Sequence, residues 1–222
     1  MITPSLRLTA GLPTESRRIE AVVWSAVERV IAGLSLILLL PAMALLMLAV
    51  ALVSGKSPLI AHRRLGRYGE EFWMFKIRTM WSKNQPCVAT RPWIEYISDA
   101  HVPVFKGARD PRVTSPLARF CRRYSLDELP QLIHVLNGSM RMVGPRPITR
   151  VEWDEYYGAS AAEVLKVSPG MTGLWQVMGR NRLTYTQRLR LDLFYARHKS
   201  PLLDLLLLLQ TPARVLSGRN AG

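Results

Sequence analysis

The hydrophobic pattern of the chain is dominated by one run. From Val30 to Gly55, 26 residues carry no charge, and the stretch includes LSLILLLPAMALLMLAVALV. That is long enough to cross a bilayer as a helix. A buried helix of a soluble protein normally keeps a polar face, and this one has none. A secretory signal has a shorter apolar core followed by a small-residue cleavage site. Pro41 near the middle removes a backbone hydrogen bond and predicts a kink. Cations flank both ends, with Arg17, Arg18 and Arg29 before the run and Lys56, Arg63, Arg64 and Arg67 after it. The positive-inside rule wants that excess on one side only, so a helix that bends at Pro41 and returns to the same face satisfies both flanks.

Beyond the run the pattern changes period. Residues 1–20 read as a polar tail. LIAHRRLGRYGEEFWMFKIRTM has strand formers around Gly66 and Gly69, which predicts a hairpin whose second strand ends near Lys76 and Arg78. Residues 81–109 show no period and read as a loop-rich insertion. DPRVTSPLARFCRRYSLDELPQLIHVLNGSM predicts two helices; Leu129, Leu132, Ile133 and Leu136 make one apolar face, and Gly138 is a natural stop. A polar helical stretch spans Glu152 to Lys166, VSPGMTGLWQVMGRN is turn-rich, and an amphipathic run surrounds Leu191 to Tyr195. SPLLDLLLLLQTPARVL, from Ser200, is too short to span; it predicts a helix lying at a membrane interface or packed under the domain. The fold class is α+β, mostly helical with a few short strands. The divisions are a tail at 1–20, a membrane helix at 21–56 and a domain at 57–222.

Composition narrows the chemistry. Thirty Lys and Arg against 16 Asp and Glu give a net charge of +14 over 222 residues, which points to an anionic partner: nucleic acid, acidic lipid or a phosphorylated substrate. No nucleic-acid motif accompanies the charge. Cys87 and Cys121 have no CxxC spacing, so they predict neither a zinc site nor a disulfide framework, but two small core thiols in a reducing compartment.

SLDELPQL, residues 125–132, places Asp127 and Glu128 just after Arg119, Arg122 and Arg123. Ser125 and Glu128 fit a capping box, in which both acids would merely complement a helix dipole at about 0.3–1 kcal/mol each. The same acids could instead act on a phosphate held by the arginines. A carboxylate can attack phosphorus, and Mg²⁺ suits carboxylate plus phosphate oxygens.

Six motifs in order favour the second reading. KIRTM at 76–80, DPRVT at 110–114, RRYSLDELPQL at 122–132, MVGPRP at 142–147, PGMTGLWQVMGRN at 169–181 and LDLFY at 191–195 together resemble the bacterial sugar transferases of the monotopic phosphoglycosyl transferase family. The resemblance covers roughly residues 25–215. It is to the compact form used in exopolysaccharide synthesis, without the multi-span region of larger members. The alternative is a membrane adaptor that releases no nucleotide.

The resemblance implies a re-entrant membrane helix and a small domain on the cytoplasmic face of the bacterial inner membrane. It implies transfer of a sugar 1-phosphate from a UDP-sugar to polyprenyl phosphate, with release of UMP and Mg²⁺ as cofactor. Asp127 matches the nucleophile that carries the phosphosugar, and Glu128 its partner at the metal. Arg122, Arg180 and Lys76 match phosphate-binding cations, and Pro145, Arg146 and Pro147 match the element at the uridine end. His134 reads as structural, Asp192 as a packing charge. The sequence departs from the family in two places. Leu40 stands before Pro41 where a serine is usual. Gly138, Ser139, Met140 and Arg141 stand where G-D-M-S is common, a change expected to bear on donor or metal preference. The sugar and any homo-oligomer stay open.

Overall fold

The computed structural model describes residues 14–80, 87–97, 113, 115–179 and 183–216. Helix α1, Thr14–Ser54, continues through Pro41. It is rich in Leu and Ala, good helix formers. It starts inside the expected tail, and it forms one helix, with no turn dividing it into two arms. Gly55, at φ +65°, ends it and donates its N–H to the Ala51 carbonyl. Four residues then lead into β1, Leu59–Leu65, and β2, Glu71–Ile77, the antiparallel hairpin expected there, in register from Leu59 opposite Ile77 to Leu65 opposite Glu71.

The expected loop-rich insertion contains a second hairpin. β3, Cys87–Arg91, pairs with β4, Ile94–Ile97, and β4 joins β1 in parallel, giving the order β2-β1-β4-β3. β3 is fully exposed, so burial gave it no apolar alternation to betray it. Cys87 lies there, exposed, rather than in a core; Cys121 is buried.

Helix α2, Pro116–Arg123, starts where a sequence rule places it. Ser115 caps it by accepting the Ala118 N–H at 3.0 Å, and Pro116 takes the first position. A 3₁₀ turn, Leu126–Gln131, precedes the short α3, Leu132–Asn137, which stops at Gly138 with φ +85°. The apolar face of α3 is not the one expected. Leu132 and Val135 are buried, whereas Ile133 and Leu136 are exposed. The 3₁₀ turn has about three residues per turn, so it breaks the 3.6-residue phase carried over from Leu129.

β5, Arg141–Val143, pairs in parallel with β6, Gly170–Thr172. Between them the expected polar helix is broken into α4, Arg150–Glu152, a π turn and a 3₁₀ turn through Ser160, and α5, Ala161–Val164. After β6 come α6, Leu174–Met178, α7, Tyr185–His198, and α8, Pro201–Leu216. α8 packs under the domain, one of the two placements expected, and keeps an apolar face outward. Asp204 and Leu207 are buried against the domain, while Leu202, Leu205, Leu206 and Leu209 are exposed.

Three apolar clusters hold these pieces. Ala32, Leu36 and Leu39 of α1 pack with Met74, Leu132, Val135 and Met140. Val143, Val177, Tyr195 and Leu207 join β5 to α6, α7 and α8. Leu65, Ile148, Tyr157, Ala161, Val164 and Leu165 close the third. Elsewhere α1 is widely exposed, as at Leu34, Ile37, Leu38, Leu45 and Leu52. Residues 19–54 are long and apolar enough to cross a membrane, by length and composition.

The β5–β6 pair is built on close backbone approach. A Cβ on Gly170 would fall 2.0 Å from the Gly144 nitrogen, and one on Gly144 would fall 2.5 Å from the Ser168 carbonyl oxygen. Gly170→Ala is therefore expected to lower stability by about 3 kcal/mol. Gly55→Ala meets no atom within 4 Å and is strained only by its φ, an expected loss of about 1 kcal/mol. Urea unfolding of both variants checks the ranking; equal losses would refute the steric argument.

Candidate functional site

β2 delivers Lys76 to the acidic turn. Its Nζ donates to Glu128 Oε1 at 2.7 Å, with both side chains largely withdrawn from water. His134 of α3 sets the strand there. Its Nε2 accepts the N–H of Phe75, next to Lys76, at 3.0 Å, and its ring lies between Phe72 and Phe75. An acceptor nitrogen must be unprotonated, and burial accordingly lowers the His134 pKa from 6.5 to about 4. His134 is thus structural as expected, with a specific task.

The capping box at Ser125 and Glu128 does not form. Ser125 adopts φ +55° and makes no side-chain cap bond to the turn it precedes, and Glu128 is turned to Lys76 instead. Pro130 is the reason: it fits a 3₁₀ turn but not the interior of an α-helix starting at Ser125. The two acids therefore do not stand on the first turn of an α-helix. The positive field comes from side chains, chiefly Lys76 and Arg122.

Asp127 is 8% exposed. Burial is the largest influence on it and raises its pKa from 3.8 to about 6; Glu128 adds to the rise, while Lys76 and Arg122 oppose it. The buried Cys121 thiol is pushed up to about 11, by burial and then by Asp127, and is inert as a nucleophile.

Arg146 follows β5 between the buried Pro145 and Pro147. Its guanidinium lies 5.6 Å from the Trp175 ring centre, where Arg188 also approaches at 5.0 Å. Burial works against its charge, but Glu152 and Glu128, with the phenols of Tyr157 and Tyr185, more than offset that and raise its pKa. Glu128 thus lies in the field of both Lys76 and Arg146, so the acidic turn and the proline-framed arginine form one electrostatic unit. Asp192 is part of its support. It accepts the Tyr157 hydroxyl at 3.0 Å, and burial pushes it up to about 7, held back by Tyr157, Arg146 and Arg188. The sequence presented Asp192 as a packing charge; Tyr157, Trp175 and Arg188 gave no signal except the aromatic and basic character of their motifs.

Of the sequence-derived site residues, the structure bonds Lys76 to Glu128, sets Asp127 in the field of Lys76 and Arg122, and sets Arg146, flanked in sequence by Pro145 and Pro147, in the field of Glu128. Arg180 lies outside the described residues, as does most of DPRVT. Arg141 turns away from the site to Glu28 of α1, and Ser139 bonds Asn137 through its N–H and hydroxyl. Arg141 is thus engaged with α1 and Ser139 with its own turn, and neither of these contacts involves the acidic turn. No group of three or more His, Cys, Asp and Glu side chains gathers among the described residues. Two adjacent carboxylates are nonetheless the donor set with which Mg²⁺ is commonly bound when substrate phosphates and water complete its shell.

The model of the family described as "Bacterial sugar transferase" matches residues 19–218. The exopolysaccharide production protein ExoY of Rhizobium meliloti is 37% identical over 190 residues, 84% of this chain and 82% of that protein. A UDP-galactose-lipid carrier transferase of Erwinia amylovora is 38% identical over 201 residues, and an undecaprenyl-phosphate galactose phosphotransferase of Salmonella typhimurium 39% over 163. The chain spans 40% and 34% of those two longer proteins.

Two titrations test the site without substrate. Folded Asp127 holds its proton more tightly than in the unfolded chain, so its ionisation removes stability as pH rises from about 4 to 6. Asp127→Asn is expected to melt several degrees higher than wild type at pH 7.5, with the advantage gone by pH 4. His134 has the opposite sign. The unfolded chain takes up its proton first, so stability is lost as pH falls from 6.5 to 4. His134→Gln keeps an acceptor and does not titrate, so its melting temperature should gain on wild type over that interval. Parallel melting curves across pH for either pair would contradict the assignment.

Proposed function

Because the chain belongs to the bacterial sugar transferase family, we propose that it transfers a sugar 1-phosphate from a UDP-sugar to polyprenyl phosphate, the initiating step of an exopolysaccharide or related glycan. The observation that carries this reading is the buried Asp127, with a pKa raised to about 6 beside the Lys76–Glu128 ion pair and in the field of Arg122. A carboxylate of raised proton affinity is a stronger nucleophile, yet it is ionised at neutral pH. Glu128, engaged by Lys76, is placed to assist rather than attack.

In the first displacement an Asp127 oxygen bonds to the sugar-bearing phosphorus, and the bond from that phosphorus to the bridging oxygen breaks. UMP leaves with the electron pair. In the second, a polyprenyl phosphate oxygen attacks the same phosphorus, and the bond to Asp127 breaks to return the carboxylate. Lys76 and Arg122 offset charge on the equatorial oxygens, where phosphoryl transfer is mostly catalysed. Arg180 matches a further such cation. Pro145, Arg146 and Pro147, with Trp175 behind the guanidinium, form a rigid cationic platform for the uridine end. Glu128 and Asp127 would hold Mg²⁺, which would add positive charge at the donor phosphates.

The proposed membrane arrangement takes its support from connectivity. Trp24 and Glu28 near the start of α1 pack on the domain, and four residues after Ser54 the chain enters β1 of that same domain. In this reading both ends stay on one face when the apolar segment inserts: the helix, continuous through Pro41 here, bends there in the membrane, and the exposed leucines of α8 lie at the interface on the cytoplasmic side of the inner membrane.

UMP release from nanodisc-embedded protein with Mg²⁺, polyprenyl phosphate and a panel of UDP-sugars tests the reading. At least one sugar should yield UMP, with an acid limb near pH 6. Asp127→Asn should lower turnover about 10³-fold or more while remaining folded and membrane-bound. Turnover retained by Asp127→Asn would end the covalent mechanism, and no UMP from any sugar would favour the adaptor.

A further inference from the structure

A second set of buried charges lies away from the acidic turn, where α1 meets the domain. Glu28 and Asp204 are both fully buried. Arg141 of β5 approaches Glu28 at 2.5 Å. The contact is an ion pair by distance, and neither Glu28 oxygen has a well-angled hydrogen bond. Trp24, one turn before Glu28 on the same face of α1, donates its indole N–H to Asp204 at 3.1 Å. The other oxygen of Asp204 takes the Tyr195 hydroxyl at 2.6 Å, and that hydroxyl also lies 3.1 Å from the Val143 carbonyl oxygen. Lys199 completes the field: Asp204 and Glu28 oppose the fall in its pKa that burial causes. Two buried acids thus face two half-buried bases.

Both ends of β5 are tied into this set. Arg141 is its first residue and Val143 its last, and Gly144, Pro145, Arg146 and Pro147 follow directly. We propose that the Glu28–Arg141 pair, with the Trp24–Asp204–Tyr195 chain, makes the membrane helix a positioning element for the Pro145–Arg146–Pro147 platform. The inference rests on the proposed uridine role of that platform. None of these side chains touches substrate; they act through the place at which β5 releases Arg146. Breaking the pair leaves a fully buried charge without its partner, which shifts β5 or α1, and a contact between Arg146 and an anionic nucleotide is sensitive to shifts of that size.

The test measures UDP binding by calorimetry in nanodiscs, with melting temperature and membrane retention recorded on the same samples. Glu28→Gln and Arg141→Gln should each weaken UDP binding about tenfold, and Arg141→Lys should recover part of the loss. The double variant Glu28→Gln/Arg141→Gln should lose much less than the product of the two single losses. Arg197→Gln, which removes an exposed pair with Glu163, should leave UDP binding unchanged and controls for general loss of charge. Unchanged UDP affinity in folded, membrane-bound single variants, with wild type binding UDP, would overturn the inference and leave the proposed function intact. Absence of UDP binding by wild type would overturn the platform reading itself. If the charge variants fail to fold, Trp24→Phe probes the same link more gently. It should weaken UDP binding severalfold, and unchanged affinity there would overturn the inference as well.

Discussion

The site turns on one conflict: a carboxylate is placed where its charge is unwelcome. Asp127 is buried, and burial raises its pKa to about 6 against the opposing pull of Lys76 and Arg122. Neither cation comes from the acidic turn. Lys76 arrives on β2 and Arg122 on the last turn of α2. The hairpin, the helix before the turn and the helix after it must therefore close on one another before Asp127 can carry a charge at tolerable cost.

Two sub-assemblies converge on that point. One is the acidic turn, fixed to β2 by the Lys76–Glu128 pair and by the Phe75 N–H bonded to His134. The other is the Pro145–Arg146–Pro147 loop, fixed by the glycine-mediated contact of β5 with β6 and backed by Trp175, Tyr157 and Asp192. They meet electrostatically at Glu128, which is paired with Lys76 and lies in the field of Arg146.

Much of this was legible before the structure. The β1–β2 hairpin, the position of Lys76 at its end and the long apolar helix all rest on local rules that tertiary contacts did not override. The misses share a cause. Glu128 carries two competing instructions, a capping box with Ser125 and an ion pair with Lys76, and the winner is set by a strand 52 positions away. The exposed β3 has no buried face to give it a period. Asp192 is the packing charge expected, but its partners, Tyr157 and the Arg146 loop, could not be named because they are distant in sequence. The partner of Arg141 was hidden for the same reason, Glu28 lying 113 positions earlier.

That last pair bears on how a leucine-rich helix can be seated with accuracy. The apolar surface of α1 offers Leu36 and Leu39 to Met74 and Leu132, and leucine packed on leucine or methionine tolerates small rotations and slides, because a neighbouring leucine fills a similar space. A buried charge does not. If α1 slid by one turn, Glu28 would lose Arg141, Asp204 would lose Trp24, and two charges would remain interred without their partners, at several kcal/mol. The polar contacts need not add stability beyond what an apolar replacement would give. They exclude the alternative registers that the leucines permit, and so tie the depth of the membrane segment to the position of β5 and of the arginine that follows it.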